Sequence, residues 1–148
     1  APAHNNLADI YFLNHKLDDA KHHFEERIRL NPDTALNALV CLGIIARYQG
    51  RADSDGLFQQ ALAVWNIAWQ ARWQSPAGLL ENKAIALLCV GQHNEALETL
   101  GAALAQRWAN DKIEIERYKM LAQAPNPPEG IERMLAMLRQ ATSDKKVE

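Results

Sequence analysis

Cysteine is scarce in this chain: Cys41 and Cys89 are the two among 148 residues. Both sit inside apolar helical runs, too few and too far apart for a disulfide framework, so they read as buried free thiols. Long hydrophobic runs are missing as well. None approaches the ~20 residues that span a bilayer, which argues against direct membrane insertion. No charge of one sign dominates, since the net charge is −2 and the isoelectric point is near 6.2. Basic residues are scattered, with only Lys145-Lys146 adjacent in the tail. Nucleic acid and anionic lipid are therefore not expected as partners.

Catalytic signatures are absent too. There is no G-x-S-x-G, no H-E-x-x-H and no phosphate-cradling glycine loop. His15, His22 and His23 look clustered, but neighbouring helical residues point ~100° apart and do not converge on one metal. Glu25 and Glu26 share a polar helix face with Arg27 and Arg29, the arrangement of surface ion pairs. The expectation is a chain that is not an enzyme and has no catalytic residue, metal or cofactor.

What the chain does have is helical periodicity, with 48% hydrophobic and 23% charged residues, enough for one ordered domain. The first helix is expected from about Asn5 to Asn14. After a turn at His15-Lys16 a second helix runs to Leu30, where Asn31-Pro32-Asp33 ends it. A further hairpin turns at Gly50, and its second helix begins near Asp53 or Ser54. Ser75-Pro76 is a start signal for a third hairpin, about Ala77–Val90 and Asn94–Trp108. Asn110-Asp111 opens another helix to about Gln123. Asn126-x2-Glu129 then reads as a capping box for a last helix, Gly130–Gln140. The single domain is expected over 1–141, with hairpins at about 1–34, 35–74, 75–109 and 110–141, and a frayed tail at 142–148.

These hairpins repeat. Phe24 and Phe58 are 34 residues apart, and Ala8 and Gly43 are 35 apart. The next steps lengthen, to 41 from Gly43 to Ala84 and 42 from Phe58 to Leu100. Asn66 stands where Pro32 stopped the first unit, so the surplus of about two turns reads as an over-long helix rather than a loop. In the first unit Leu7, Ala8, Tyr11, Ala20, Phe24 and Pro32 match the pattern W-x2-L-G-x2-Y…A-x3-F…P, with His4 in place of the Trp. The chain thus resembles the tetratricopeptide-repeat family, over about three repeats. Tyr118 stands where a small residue belongs, so the fourth unit reads as a degenerate capping hairpin.

The resemblance implies an all-α fold, a right-handed solenoid of antiparallel hairpins with about eight helices, whose inner helices line a concave groove. With Leu7, Ala8 and Tyr11 packed inward, helical spacing puts Asn5, Asp9 and Phe12 on the groove face. The same offset gives Val40, Ile44 and Arg47, then Glu81, Ile85 and Leu88, then Ile115, Lys119 and Ala122. That wall is largely apolar, with Asp9, Arg47, Glu81 and Lys119 as isolated charges. It suits a peptide or helix of a partner protein, so the expected role is a protein-interaction scaffold. One subset of the family grips a terminal carboxylate along this groove, and Asp9 at its mouth would repel one. Trp65, Trp69 and Trp73 form a second stripe at i, i+4, i+8. It is either packing against the third hairpin or a second docking patch (Trp69, Trp73), and the alternative to partner binding is a structural unit that self-associates through this long helix or through the last hairpin. Because the chain starts at Ala1, it is expected to be processed or excised. Its compartment is open: cytoplasm, or periplasm if Ala1 is a mature terminus.

Overall fold

Seven residues after each small residue of the repeat, the chain must reverse direction, at His15, Gly50 and Gly91. In the computed structural model, which describes residues 2–71, 76–106 and 112–147, these three have positive φ angles of 57°, 71° and 94°. Each turn closes with the same bond, from Lys16, Arg51 and Gln92 N–H to the carbonyls of Tyr11, Ala46 and Leu87, at 2.9, 2.8 and 2.9 Å. This left-handed C-terminal turn satisfies the last carbonyls of each helix. Glycine adopts it without strain, whereas His15 carries a cost of roughly 1–2 kcal/mol.

The turns join α1 (Pro2–Leu13) to α2 (Leu17–Leu30), α3 (Leu36–Tyr48) to α4 (Ser54–Ala71), and α5 (Pro76–Cys89) to α6 (His93–Ala105). A one-turn 3-10 helix, Pro32–Thr34, links the first hairpin to the second. The described residues contain no strand, so the fold is all-α, with eight helices once α7 (Lys112–Ala122) and α8 (Ile131–Val147) are included. Successive hairpins stack through α2 on α3 and α4 on α5. As the spacing predicts, α4 is long, at 18 residues against 14 for α2.

The small residues of the repeat work by contact. Ala8, Gly43 and Ala84 are buried, and so are Phe24, Phe58 and Leu100 on the second helices. A Cβ placed on Gly43 would sit 2.7 Å from Phe58 Cζ, well inside van der Waals contact. The glycine therefore sets how closely α3 and α4 approach.

The fourth unit departs from the others. Instead of extending the stack, α7 folds back across α3 and α1, and α8 lies against α7 and α6. The helix expected over Gly130–Gln140 runs from Ile131 to Val147, so most of the segment expected to be a frayed tail is helical. No Gly or Pro follows Gly130 to stop it. Rather than forcing the helices apart, Tyr118 is fully buried among them.

Gly43→Ala should destabilise the protein by about 1–3 kcal/mol, because the buried Phe58 ring has to move. Urea unfolding followed by circular dichroism measures this. An unchanged midpoint would mean that the ring yields freely.

Candidate functional site: an inner groove filled by α7

Five of the side chains expected to form the groove wall are covered by the chain itself. Phe12, Val40, Ile44, Ile85 and Leu88 are all buried. Phe12 lies on α1 and Val40 and Ile44 on α3, the two helices that α7 covers, whereas Leu88 of α5 lies beside Gly130, where an added Cβ would come 3.0 Å from its Cδ1. The expectation that these five side chains are open to a partner is therefore corrected. Their apolar surface is too large to leave bare, and Met120, Leu121 and Tyr118 of α7 are buried with them in one core.

At the centre of that contact stands Arg117, which is 1% exposed. Its Nη1 donates to Asn37 Oδ1 at 2.8 Å and lies 3.8 Å from Cys41 Sγ, both on α3. Its Nη2 donates to Glu81 Oε2 at 2.7 Å and to Asn82 Oδ1 at 2.8 Å, both on α5. Glu114, one turn back on α7, approaches Nε at 3.7 Å. One guanidinium thus bridges two inner helices from a third. Taking a charge from water is costly unless it is paired and hydrogen-bonded. The Asn side chains and Glu81 supply those partners.

Two carboxyl groups, Glu81 and Glu114, crowd one guanidinium in a site where Glu81 and Arg117 are almost wholly buried. Burial pushes the Glu81 carboxyl well above its ordinary value of 4.5; Arg117 pulls it back and Glu114 pushes it further up. Burial opposes the charged form of Arg117 as well, yet Glu81 and Glu114 more than compensate and hold its proton more tightly than usual. Tyr118 is raised by burial and then by Glu81. Burial pushes the Cys41 thiol up to about 12, with Arg117 opposing, and pushes Cys89 up to about 12. Neither cysteine supplies a thiolate near neutral pH.

The remaining predicted residues take separate places. Asp9 is half-buried on α1. Arg47 closes the turn end of the stack, donating from Nε to the Asn126 carbonyl at 3.0 Å and from Nη1 to the Cys89 carbonyl at 3.1 Å. Asn126 thus serves the fold through its backbone carbonyl. Ile115 and Lys119 line a cavity of about 610 Å³ between α7 and α1, opposite Ile10 and Leu13, and Ala122 is half-buried on the same helix. The Asn5 side chain, Trp73 and Trp108 lie outside the described residues. Trp65 stacks on Trp69 with ring centroids 5.2 Å apart. Its Nε1 donates to the Leu79 carbonyl at 2.9 Å, and Lys83 Nζ lies 4.0 Å from its ring centre. Trp65 is thereby tied to the third hairpin, and half-buried Trp69 packs beside it.

Sequence reasoning missed Arg117 and its partner Asn37. A signal was present: Asn37, Glu81 and Asn82 lie among apolar residues in two largely apolar helices, and buried polar groups need partners. A second tie also went unseen, His15 Nε2 to Glu116 Oε1 at 2.7 Å, which pins α7 to the first turn. Among the described residues no three His, Cys, Asp or Glu side chains are grouped to hold a metal, and no helix is long and apolar enough to cross a membrane. Compared with known proteins, the chain matches no family model, no curated protein and no solved structure.

A carboxyl that holds its proton more tightly folded than unfolded stabilises most below pH 4.5 and loses that contribution as pH rises through its folded value. Glutamine imitates the protonated form at every pH. The melting temperature of Glu81→Gln should therefore gain on wild type as pH rises from about 4 to 7. If the variant instead falls behind toward neutral pH, Arg117 stabilises the Glu81 carboxylate and the sign above is reversed.

Proposed function

We propose that this chain is a protein-interaction scaffold, a short array of tetratricopeptide-type hairpins whose inner groove is occupied by its own α7. The observation that carries this reading is the fit of α7. An eleven-residue helix lies across the face formed by α1 and α3, its buried Arg117 met by acceptors on α3 and α5. A surface that accepts one helix in this way is built for helix recognition. The repeat spacing, the shared turn and the Ala, Gly and Phe register support placing the hairpins with the tetratricopeptide type.

Because the groove is filled, a partner meets the scaffold on what remains open. Large apolar side chains stay exposed on α1, at Leu7, Ile10 and Leu13, and singly elsewhere at Leu30 and Ile67. Clustered apolar exposure of this kind marks interaction surfaces, whereas isolated residues do not.

Sedimentation velocity separates this role from self-association. The scaffold reading expects the purified chain to be a monomer, and a tagged chain recovered from its source to sediment with another polypeptide in fixed ratio. A stable homodimer that carries no second polypeptide would overturn it in favour of a structural unit.

A further inference from the structure

Where the second and third turns meet the loop between α7 and α8, a cavity of about 500 Å³ opens. Arg47, Arg51, Ser54, Asp55, Gln59 and Asn126 supply its polar lining. The backbone acceptors around it are taken. The carbonyls of Ala46, Arg47 and Leu88 accept from Arg51, Gly50 and Gly91 N–H, and those of Cys89 and Asn126 accept from Arg47. Donors, by contrast, are left over. Ser54 and Asp55 open α4, so their N–H groups have no carbonyl of that helix to meet. Ser54 is only 7% exposed, and among the described residues its hydroxyl has no partner, although buried polar groups normally have one. Arg47 places Nε and Nη1 on neutral carbonyls. Asp55 Oδ1 stands 3.8 Å from that Nη1, outside hydrogen-bonding distance. Arg51 holds Asp53 through Nη2 at 2.7 Å, and a guanidinium has further N–H groups to give.

We propose that this cavity binds a phosphate group, free or carried by a small molecule. Arg47 and Arg51 meet its oxygens, and the Ser54 hydroxyl and the first N–H groups of α4 complete the shell. The charges favour an anion. The lining sets two guanidinium groups against the single carboxylate of Asp55. Asp53 offsets the second from outside the lining, and the start of α4 adds about half a positive charge. Both acids stand largely in water, Asp53 52% and Asp55 70% exposed, where solvent and salt screen them. The Arg47 side chain is 14% exposed, so its field is screened less. Phosphate suits the donors better than a flat carboxylate does. They come from α3, the turn after it and α4, and tetrahedral oxygens can face all three. The cavity is larger than a phosphate group, and Gln59 offers a neutral amide to whatever the phosphate is attached to. None of these residues belongs to the Arg117 contact, so the site does not depend on the scaffold reading.

The test follows amide chemical shifts of the full chain while inorganic phosphate replaces chloride at neutral pH and constant ionic strength. The amides of Ser54, Asp55 and Gly91 should move along one saturating curve, with a dissociation constant of about 1 mM or tighter. Arg51→Gln should weaken binding about tenfold, the loss of one charge-assisted hydrogen bond. Asp55→Asn should tighten it severalfold by removing a like charge, a gain that a merely structural role would not produce. Both side chains reach water, so both variants should keep the fold, and unchanged shifts elsewhere report that. Glycerol phosphate in place of inorganic phosphate distinguishes the two sources. Tighter binding assigns a phosphate ester, and weaker binding assigns free phosphate. Acetate should leave the three amides where they are. Shifts that never saturate, that acetate reproduces, or that persist at full affinity in Arg51→Gln overturn the proposal.

Discussion

A guanidinium without water is the constraint that organises the molecule. Arg117 is 1% exposed, and its bonds to Asn37, Glu81 and Asn82 fix α7 against two helices that share no turn with it. Removing one partner of such a pair strands the other charge and typically costs ~3–5 kcal/mol. Apolar contact alone would let α7 slide or rotate over the wall of Val40, Ile44 and Ile85, because burial is indifferent to direction. The guanidinium demands particular acceptors at particular places, so it sets position along the groove. At the far edge His15 and Glu116 fix the same helix to the first turn.

The repeating part of the fold was legible because it is enforced locally. Gly43 sits against Phe58, and Gly50 and Gly91 adopt positive φ. Each leaves a residue type at a fixed spacing, and the spacing is what sequence displays. Phe12, Val40, Ile44, Ile85 and Leu88 are buried as a packed face would be, but Leu7, expected to pack inward on α1, is 43% exposed. What failed was the inference that this side is open. Burial of a face depends on where a distant helix comes to rest, and the path of α7 is set by contacts across 80 residues, from Asn37 to Arg117. No periodicity encodes such a contact. Arg117 itself looked like an ordinary surface residue, flanked by Glu114, Glu116 and Lys119 on a mixed helix. The Trp stripe was readable as two alternatives, and Trp65, with its indole N–H on the Leu79 carbonyl, takes the packing one.

A filled groove changes what a helical array of this type can do. With the groove-wall side chains buried, the exposed large apolar side chains among the described residues concentrate on α1, at Leu7, Ile10 and Leu13. In the register of Ala8, Gly43 and Ala84, Ile10 corresponds to buried Ile45 and Ala86, Leu7 to buried Leu42 and half-buried Lys83, and Leu13 to half-buried Tyr48 and buried Cys89. The opposite end differs, because α8 lies over α6.

Everything turns on α7 being a permanent part of the core, and native-state hydrogen exchange measures that most directly. The amides of Tyr118, Met120 and Leu121 should exchange only through global unfolding, with the same denaturant dependence as those of Ile44 and Ile45 on α3. Faster exchange in α7, with little dependence on denaturant while α3 stays protected, would show that the helix leaves the groove on its own. The inner face would then be an open binding site after all.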